Sequence, residues 1–228
     1  MVLKARALLV RQRTQAINAL RAHLAELGII AAGGVAKVEA LIAIIRDDED
    51  ARLPGPARFA LSMLAEQIEA LTSQIDELER AIVTEVKRDE DARRLTSIPG
   101  VGPIIAATVK ALVPDPGGFK SARHFAAWLG LTPRAHSSGG KERLGKISKM
   151  GNPEMRSLLV AGATSVLRIA RSDAKASPWL KALLARRPFK VAAVALANKM
   201  ARIIWALLNK GGIYQQPKMP MTSPATAG

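Results

Sequence analysis

The sequence predicts a mostly α-helical protein, and three observations support this prediction. Apolar residues recur every three or four positions over long stretches, which is the spacing of one face of an α-helix. Clusters of glycine and proline separate these stretches, as at residues 54–56 and 99–103. We find no run in which apolar and polar residues alternate over the length of a strand. The 228 residues suffice for one or two domains with a hydrophobic core.

Residues 1–90 are predicted to form a helical connecting and coiled-coil region. Residues 2–27 have leucines at turn spacing, and a short apolar helix over 35–46 precedes the acidic cluster 47–50, which we interpret as a helix end in solvent. The strongest pattern follows, with steps of three and four between Leu61, Leu64, Ile68, Leu71, Ile75, Leu78 and Ile82. This seam predicts a long helix over 57–88 whose partner is either residues 2–27 or another subunit, and we expect a homo-oligomer through it.

Residues 91–214 are predicted to form a compact helical domain that begins with a helix–hairpin–helix. The string IPGVGPIIAATV has an apolar residue, a turn with Gly100 and Gly102, and then a helical apolar run. Glycines in such a turn permit positive φ and let backbone N–H groups approach a phosphate at the next helix. The alternative is a tight turn between two packed helices.

Further helices are predicted after Gly117–Gly118, over 153–171 and over 191–209, followed by a disordered tail over 215–228. Asn198, Lys199 and Arg202 interrupt the last apolar helix, so we interpret it as a packed amphipathic helix and expect a cytoplasmic protein without a membrane span. We interpret Trp128, Trp179 and Trp205 as anchors in the core or at an interface.

The charge of the chain is concentrated in its second part. Residues 1–90 have 12 Lys and Arg against 14 Asp and Glu, whereas residues 91–228 have 22 against 5, a net charge of +17. A positive field of this size favours a polyanionic partner, because each neutralised phosphate releases counterions. The chain has no cysteine, which excludes a disulfide framework and a thiol nucleophile.

The segment between Pro133 and Pro153 combines cations, glycines, one acid (Glu142) and two adjacent serines. Its basic residues are Arg134, Lys141, Arg143, Lys146 and Lys149, and its glycines at 139, 140, 145 and 151 permit close approach of a ligand. Arg156, just after it, is a further candidate for positioning a phosphate. The residues leave three interpretations open: a phosphate-binding loop, a serine nucleophile at Ser137 or Ser138 assisted by neighbouring groups, and a plain surface loop.

A resemblance to a known family narrows these alternatives. The string IPGVGPIIAATV and the pattern Ser-Gly followed by Gly-x-Ile-Ser-Lys-x-Gly-Asn resemble the C-terminal domain of insertion-sequence transposases of family 110, with its 116/902 and 1111 groups. The likeness extends over roughly 93–214, and residues 6–29 resemble the start of that family's helical connecting region.

The resemblance implies a DNA recombinase that works with a guide RNA bridging donor and target. It places the serine that becomes covalently joined to DNA at Ser138, with Ser137 as the fallback. In that family an RNase-H-like domain supplies acidic residues for Mg²⁺, and we expect this domain to be missing here. Asp47–Asp50 do not replace it, because four consecutive carboxylates cannot converge on one metal from separate strands. We therefore expect no metal site and no cofactor of the chain's own.

The sequence is compatible with three alternative functions. The chain is a serine-type transposase that cannot catalyse strand exchange alone, a non-catalytic nucleic-acid-binding module, or an inert remnant of a transposase gene. Both an enzymatic and a non-enzymatic function of the chain by itself are therefore compatible with the sequence.

Overall fold

The computed structural model describes residues 1–34, 36–135, 144–173 and 176–215. These residues form nine α-helices, one 3-10 turn and one two-stranded antiparallel ribbon, which confirms the mostly α-helical fold class. The chain divides into two compact units, Met1–Thr84 and Glu85–Gly228.

The first unit contains α1 (Val2–Glu26), α2 (Ala36–Arg46) and most of α3 (Gly55–Arg88). The extent of α3 confirms the long helix predicted over 57–88. Buried aliphatic side chains from all three helices form one core, among them Leu20, Leu24, Leu41, Ile45 and Ile68.

The seam of α3 is buried within its own chain. The Nε atom of Arg6 on α1 donates to Glu79 on α3 at 2.8 Å, and Nη1 of Arg13 lies 3.4 Å from the hydroxyl of Thr72. Arg13 follows Arg6 by seven residues on α1, whereas its partner Thr72 precedes Glu79 by seven residues on α3. The two helices therefore run antiparallel. Residues 2–27 therefore supply a partner in the same chain, and a homo-oligomer through 57–88, which stays a prediction, requires a different face of α3.

The acidic cluster forms the connection between α2 and α3. Nε of Arg52 donates to the carboxylate of Asp50 at 2.9 Å, and this hydrogen bond lowers the pKa of Asp50 to about 2. The guanidinium of Arg58 donates to the carbonyls of Ile45 at 2.9 Å and of Asp50 at 2.7 Å. The cluster is thus a helix end held by arginines. Within the described ranges, no three His, Asp or Glu side chains lie close enough together to hold a metal ion.

The second unit is built around two long helices. Its elements are α4 (Glu90–Leu95), α5 (Pro103–Leu112), a 3-10 turn (Pro116–Gly118), α6 (Ala122–Trp128), β1 (Pro133–Ala135), β2 (Leu144–Ile147), α7 (Pro153–Ser172), α8 (Pro178–Arg186) and α9 (Phe189–Lys210). Helices α7 and α9 pack along each other, α6 packs on α9, and α5 packs on α7. Small and aliphatic side chains fill the centre, such as Leu159 and Ala163 of α7 and Ala197 and Ile204 of α9.

Helix α9 is the single described helix that has the length and composition to cross a membrane, with a mean hydropathy of 1.6. Seven of its residues are buried within the second unit. The core helix of a globular domain can have the same length and hydropathy as a membrane-spanning helix, so these two properties are weak evidence for a membrane span. The indole N–H of Trp205 donates to the carbonyl of Pro116 at 3.1 Å and fixes α9 to the 3-10 turn, as expected of an anchor. Residues 216–228 of the predicted tail lie outside the described residues.

Candidate functional site

An antiparallel ribbon flanks the serine segment. Pro133 of β1 pairs with Ile147 of β2 and Ala135 pairs with Leu144, with a bulge between the two pairs. The pairing therefore brings together Ala135 and Leu144, the two residues that flank segment 136–143 in sequence. These strands of three and four residues are too short for an alternating pattern, which explains why the sequence predicted a loop here.

The two serines themselves lie outside the described residues, as do Lys141 and Arg143. Their roles as nucleophile and as phosphate ligands stay predictions. The described part of the site is the ribbon and the backbone segments to which its base is attached.

Two glycines join the base of the ribbon to the end of α6. A side chain on Gly130, which has φ +70°, would place its Cβ 2.0 Å from the carbonyl oxygen of Met150. A Cβ on Gly151, at φ +91°, would lie 1.8 Å from the carbonyl oxygen of Trp128. Glycine is thus required at both positions by a close contact between two backbone segments. Gly151 thus approaches another part of the chain, and the approach of a ligand to it stays a prediction.

Arginine side chains also hold the segment between β2 and α7. Nη1 of Arg156 donates to the carbonyls of Leu129 at 3.1 Å and of Met150 at 3.4 Å. Nη2 of Arg134 donates to the carbonyl of Ser148 at 3.0 Å. Both arginines therefore use part of their guanidinium to position backbone, and their contact with a phosphate stays a prediction.

Asn198 is a positioning residue that the sequence analysis missed. Its amide Nδ2 donates to the carbonyl of Leu131 at 3.1 Å and so ties α9 to the chain just before β1. An amide within the apolar part of α9 was the available signal, but its partner lies 67 positions away and could not be read from the sequence.

The described residues on either side of the serine segment are mostly basic in formal charge. Residues 115–135 and 144–154 contain five Lys or Arg against two acids, Asp115 and Glu154. The side chains of Arg134, Lys146 and Lys149 are exposed, and Lys149 has a positive φ of 56°. The excess of positive charge in this region favours a phosphodiester.

The turn with Gly100 and Gly102 packs against α7. Gly100 has φ +84°, and a Cβ there would lie 2.7 Å from the carbonyl oxygen of Gly162 on α7. Gly102 is the N-cap of α5, and a Cβ there would meet nothing within 4 Å. Packing between the turn and α7 thus explains Gly100 without a ligand, and phosphate binding at both glycines stays a prediction.

Three known proteins that are similar to this chain are named as transposases. Residues 92–178 match the model of the transposase IS116/IS110/IS902 family. The chain is 45% identical over 210 residues to a putative transposase of Sinorhizobium fredii, covering 91% of this chain and 54% of the relative. It is 45% identical to a probable family 20 transposase of Pseudomonas aeruginosa, and the alignment covers 93% of this chain and 63% of that relative. The transposase for insertion sequence element IS1111A of Coxiella burnetii is 40% identical, with 94% and 59% covered.

The chain is thus similar to insertion-sequence transposases over most of its length, the class that the serine-loop pattern had indicated. Residues 92–178 are the part that matches the transposase IS116/IS110/IS902 family. The chain spans between 54% and 63% of the length of these three relatives.

Proposed function

We propose that this protein binds DNA beside its ribbon and that Ser138 forms a covalent bond with the DNA backbone during strand exchange. The observation that carries the proposal is the ribbon itself: its base is fixed by backbone contacts at Gly130 and Gly151, and the described residues on either side of it in sequence are mostly basic. A fixed base limits where the ends of segment 136–143 can lie, and orientation of this kind contributes to catalysis.

The proposed chemistry is a phosphoryl transfer. The hydroxyl oxygen of Ser138 attacks phosphorus, a new P–O bond forms, and the bond between phosphorus and one DNA oxygen breaks. The proton of the serine hydroxyl ends on the departing DNA oxygen. Attack by a second DNA hydroxyl reverses the exchange and releases the serine. Lys and Arg side chains near the segment stabilise the negative charge that develops on the phosphate oxygens.

The residues described here do not fit the Mg²⁺ that the family resemblance implies, because no three acidic or histidine side chains among them converge. We propose that acidic groups from elsewhere provide the metal ligands, and that a guide RNA is a further partner. The proposal places the activity in the cytoplasm, where the DNA substrate is.

A covalent-adduct assay tests the assignment of the nucleophile. Labelled DNA is incubated with the chain, Mg²⁺ and the part of the Pseudomonas relative that has no counterpart in this chain, and the products are separated on a denaturing gel. Wild type and Ser137→Ala are expected to form a protein–DNA adduct, and Ser138→Ala is not. An adduct of equal yield with Ser138→Ala would falsify the assignment.

A second candidate function is nucleic-acid binding without chemistry in this chain. It is favoured by the same lack of converging acidic groups in the described residues. It predicts that DNA binding persists in Ser138→Ala and that no adduct forms with any variant, whatever is added in trans.

A further inference from the structure

Trp128 lies at the base of the ribbon with an exposed indole. It is the last residue of α6, and its carbonyl oxygen touches the backbone at Gly151. The side chain is 39% exposed, although the sequence suggested a core or interface anchor. Burial in the core therefore accounts for only part of this large aromatic side chain.

The indole is held in place by two other aromatic rings. The ring of Phe125, which is buried, lies 5.9 Å away at an interplanar angle of 24°, and the ring of Phe119 lies 5.3 Å away at 58°. Such packing removes most of the freedom of the side chain before any ligand arrives. An exposed aromatic that is already ordered loses little conformational entropy on binding.

The segments next to this indole contain exposed basic and polar residues as well as the apolar Met150. Arg123 and His124 are exposed on α6, and His124 lies one turn before Trp128. The exposed Met150 belongs to the backbone segment that contacts the end of α6, next to Lys149. An exposed aromatic in a part of the chain with a net charge of +17 favours a ligand that combines negative charge with a flat apolar face, which describes a nucleotide.

We propose that Trp128 stacks on an unpaired base of the DNA strand that lies along the ribbon. This inference rests on the DNA binding proposed above and adds a role for α6. Stacking a base on the indole takes it out of the duplex next to the basic segment. The adjoining phosphodiester then lies on a strand that is locally free of its complement, and so is more accessible to a nucleophile.

The test distinguishes contacts with the bases of a DNA strand from contacts with its phosphates. Binding of the chain to a single-stranded thymidine oligonucleotide is compared with binding to an oligonucleotide of equal length whose sites are all abasic. Trp128→Leu is expected to weaken binding to the thymidine oligonucleotide about five- to twentyfold and binding to the abasic one less than about twofold. Trp128→Phe, which keeps an aromatic face, is expected to retain most of the affinity. Lys146→Gln serves as the control and is expected to weaken both complexes alike.

The inference is overturned if Trp128→Leu weakens both complexes equally, or neither, while Lys146→Gln weakens both. That result leaves the proposed DNA binding intact. If wild type binds neither oligonucleotide nor duplex DNA, the proposed function fails as well. A preference of wild type for thymidine over abasic DNA supports the inference even if Trp128→Leu does not fold. Binding to a uridine oligonucleotide of equal length is measured as well. If Trp128→Leu weakens binding to the uridine oligonucleotide alone, the assignment of the stacked base to DNA is overturned.

Discussion

Lys149 combines a cation with an unfavourable backbone conformation. Its φ of 56° lies in the left-handed region, which costs an L-residue about 1 kcal/mol relative to glycine. Its N–H donates to the carbonyl of Gly130 at 3.2 Å, so the conformation belongs to the contact that fixes the ribbon base. The position thus retains a charged side chain where glycine would suit the backbone better.

Two substitutions at this position separate its charge from its backbone. Lys149→Gln and Lys149→Gly both remove one cation, so we expect them to weaken DNA binding equally. Because glycine relieves the left-handed strain, Lys149→Gly is expected to be more stable than Lys149→Gln by up to about 1 kcal/mol. Urea denaturation measures the stability, and fluorescence anisotropy measures the binding. A glycine variant less stable than the glutamine variant would contradict this account of the strain.

At the scale of elements, the contact between the turn after α4 and helix α7 depends on Gly162. A Cβ at this position would lie 2.1 Å from the carbonyl oxygen of Gly100, a distance that forces the two backbones apart. The two glycines therefore let α7 approach the turn more closely than any other residue pair would permit.

Replacing Gly162 by alanine tests this close packing. In a helix without such a neighbour, alanine is more favourable than glycine by about 1 kcal/mol. Here we expect Gly162→Ala to destabilise the protein by about 2–3 kcal/mol through overpacking, measured by chemical denaturation. Gly102→Ala is the matched control, because the space around Gly102 is open, and its cost should stay below about 1 kcal/mol. A stabilised Gly162→Ala variant would show that the helices separate easily.

An ion pair also joins α4 to α5. Nζ of Lys110 donates to the carboxylate of Asp91 at 2.8 Å, which lowers the pKa of Asp91 and raises that of Lys110. The stabilisation by Asp91 is complete above the ordinary pKa of Asp and is lost as the pH falls through its lowered value. The stabilisation by Lys110 is complete below the ordinary pKa of Lys and is lost as the pH rises through its raised value.

Asp91→Asn is therefore expected to reduce stability most near neutral pH. Both partners are partly exposed, so solvent and salt limit the effect to about 0.5–1 kcal/mol. Thermal denaturation of wild type and variant over a range of pH should show the difference shrink once the pH falls below about 4. A difference that is the same at acidic and neutral pH would indicate that the carboxylate charge contributes nothing.

The elements differ in how far the sequence could predict them. Long periodic stretches such as α3 and α9 were predicted because their pattern repeats over several turns. The ribbon was missed because its two strands are short and one of them contains Gly145. Contacts between distant residues were also missed, since the bond from Asn198 to Leu131 spans 67 positions and leaves no local signal.

In the candidate site, the sequence could not predict the partners of the basic residues. Arg156 was predicted to contact a phosphate, which stays a prediction, and part of its guanidinium holds two backbone carbonyls. Gly151 was recognised as a residue that allows close approach, while its actual neighbour, the backbone at Trp128, depends on tertiary packing.

For the whole molecule, the uneven distribution of charge predicts where DNA binds. The first 90 residues have a net charge of −2 and the rest +17. We expect duplex binding to fall steeply with salt, and Lys146→Gln to reduce the slope of log K against log salt concentration by about 1. Lys37→Gln removes an exposed lysine of α2 in the first unit and should leave the slope unchanged. Equal effects of the two substitutions would show that binding depends on total charge alone.

The glycine contacts at the ribbon base have a consequence for mutagenesis of the ribbon. Gly130 and Gly151 each leave no space for a Cβ, and Asn198 holds the chain just before β1. A substitution at any of these three positions therefore acts on the placement of both strands rather than on one side chain.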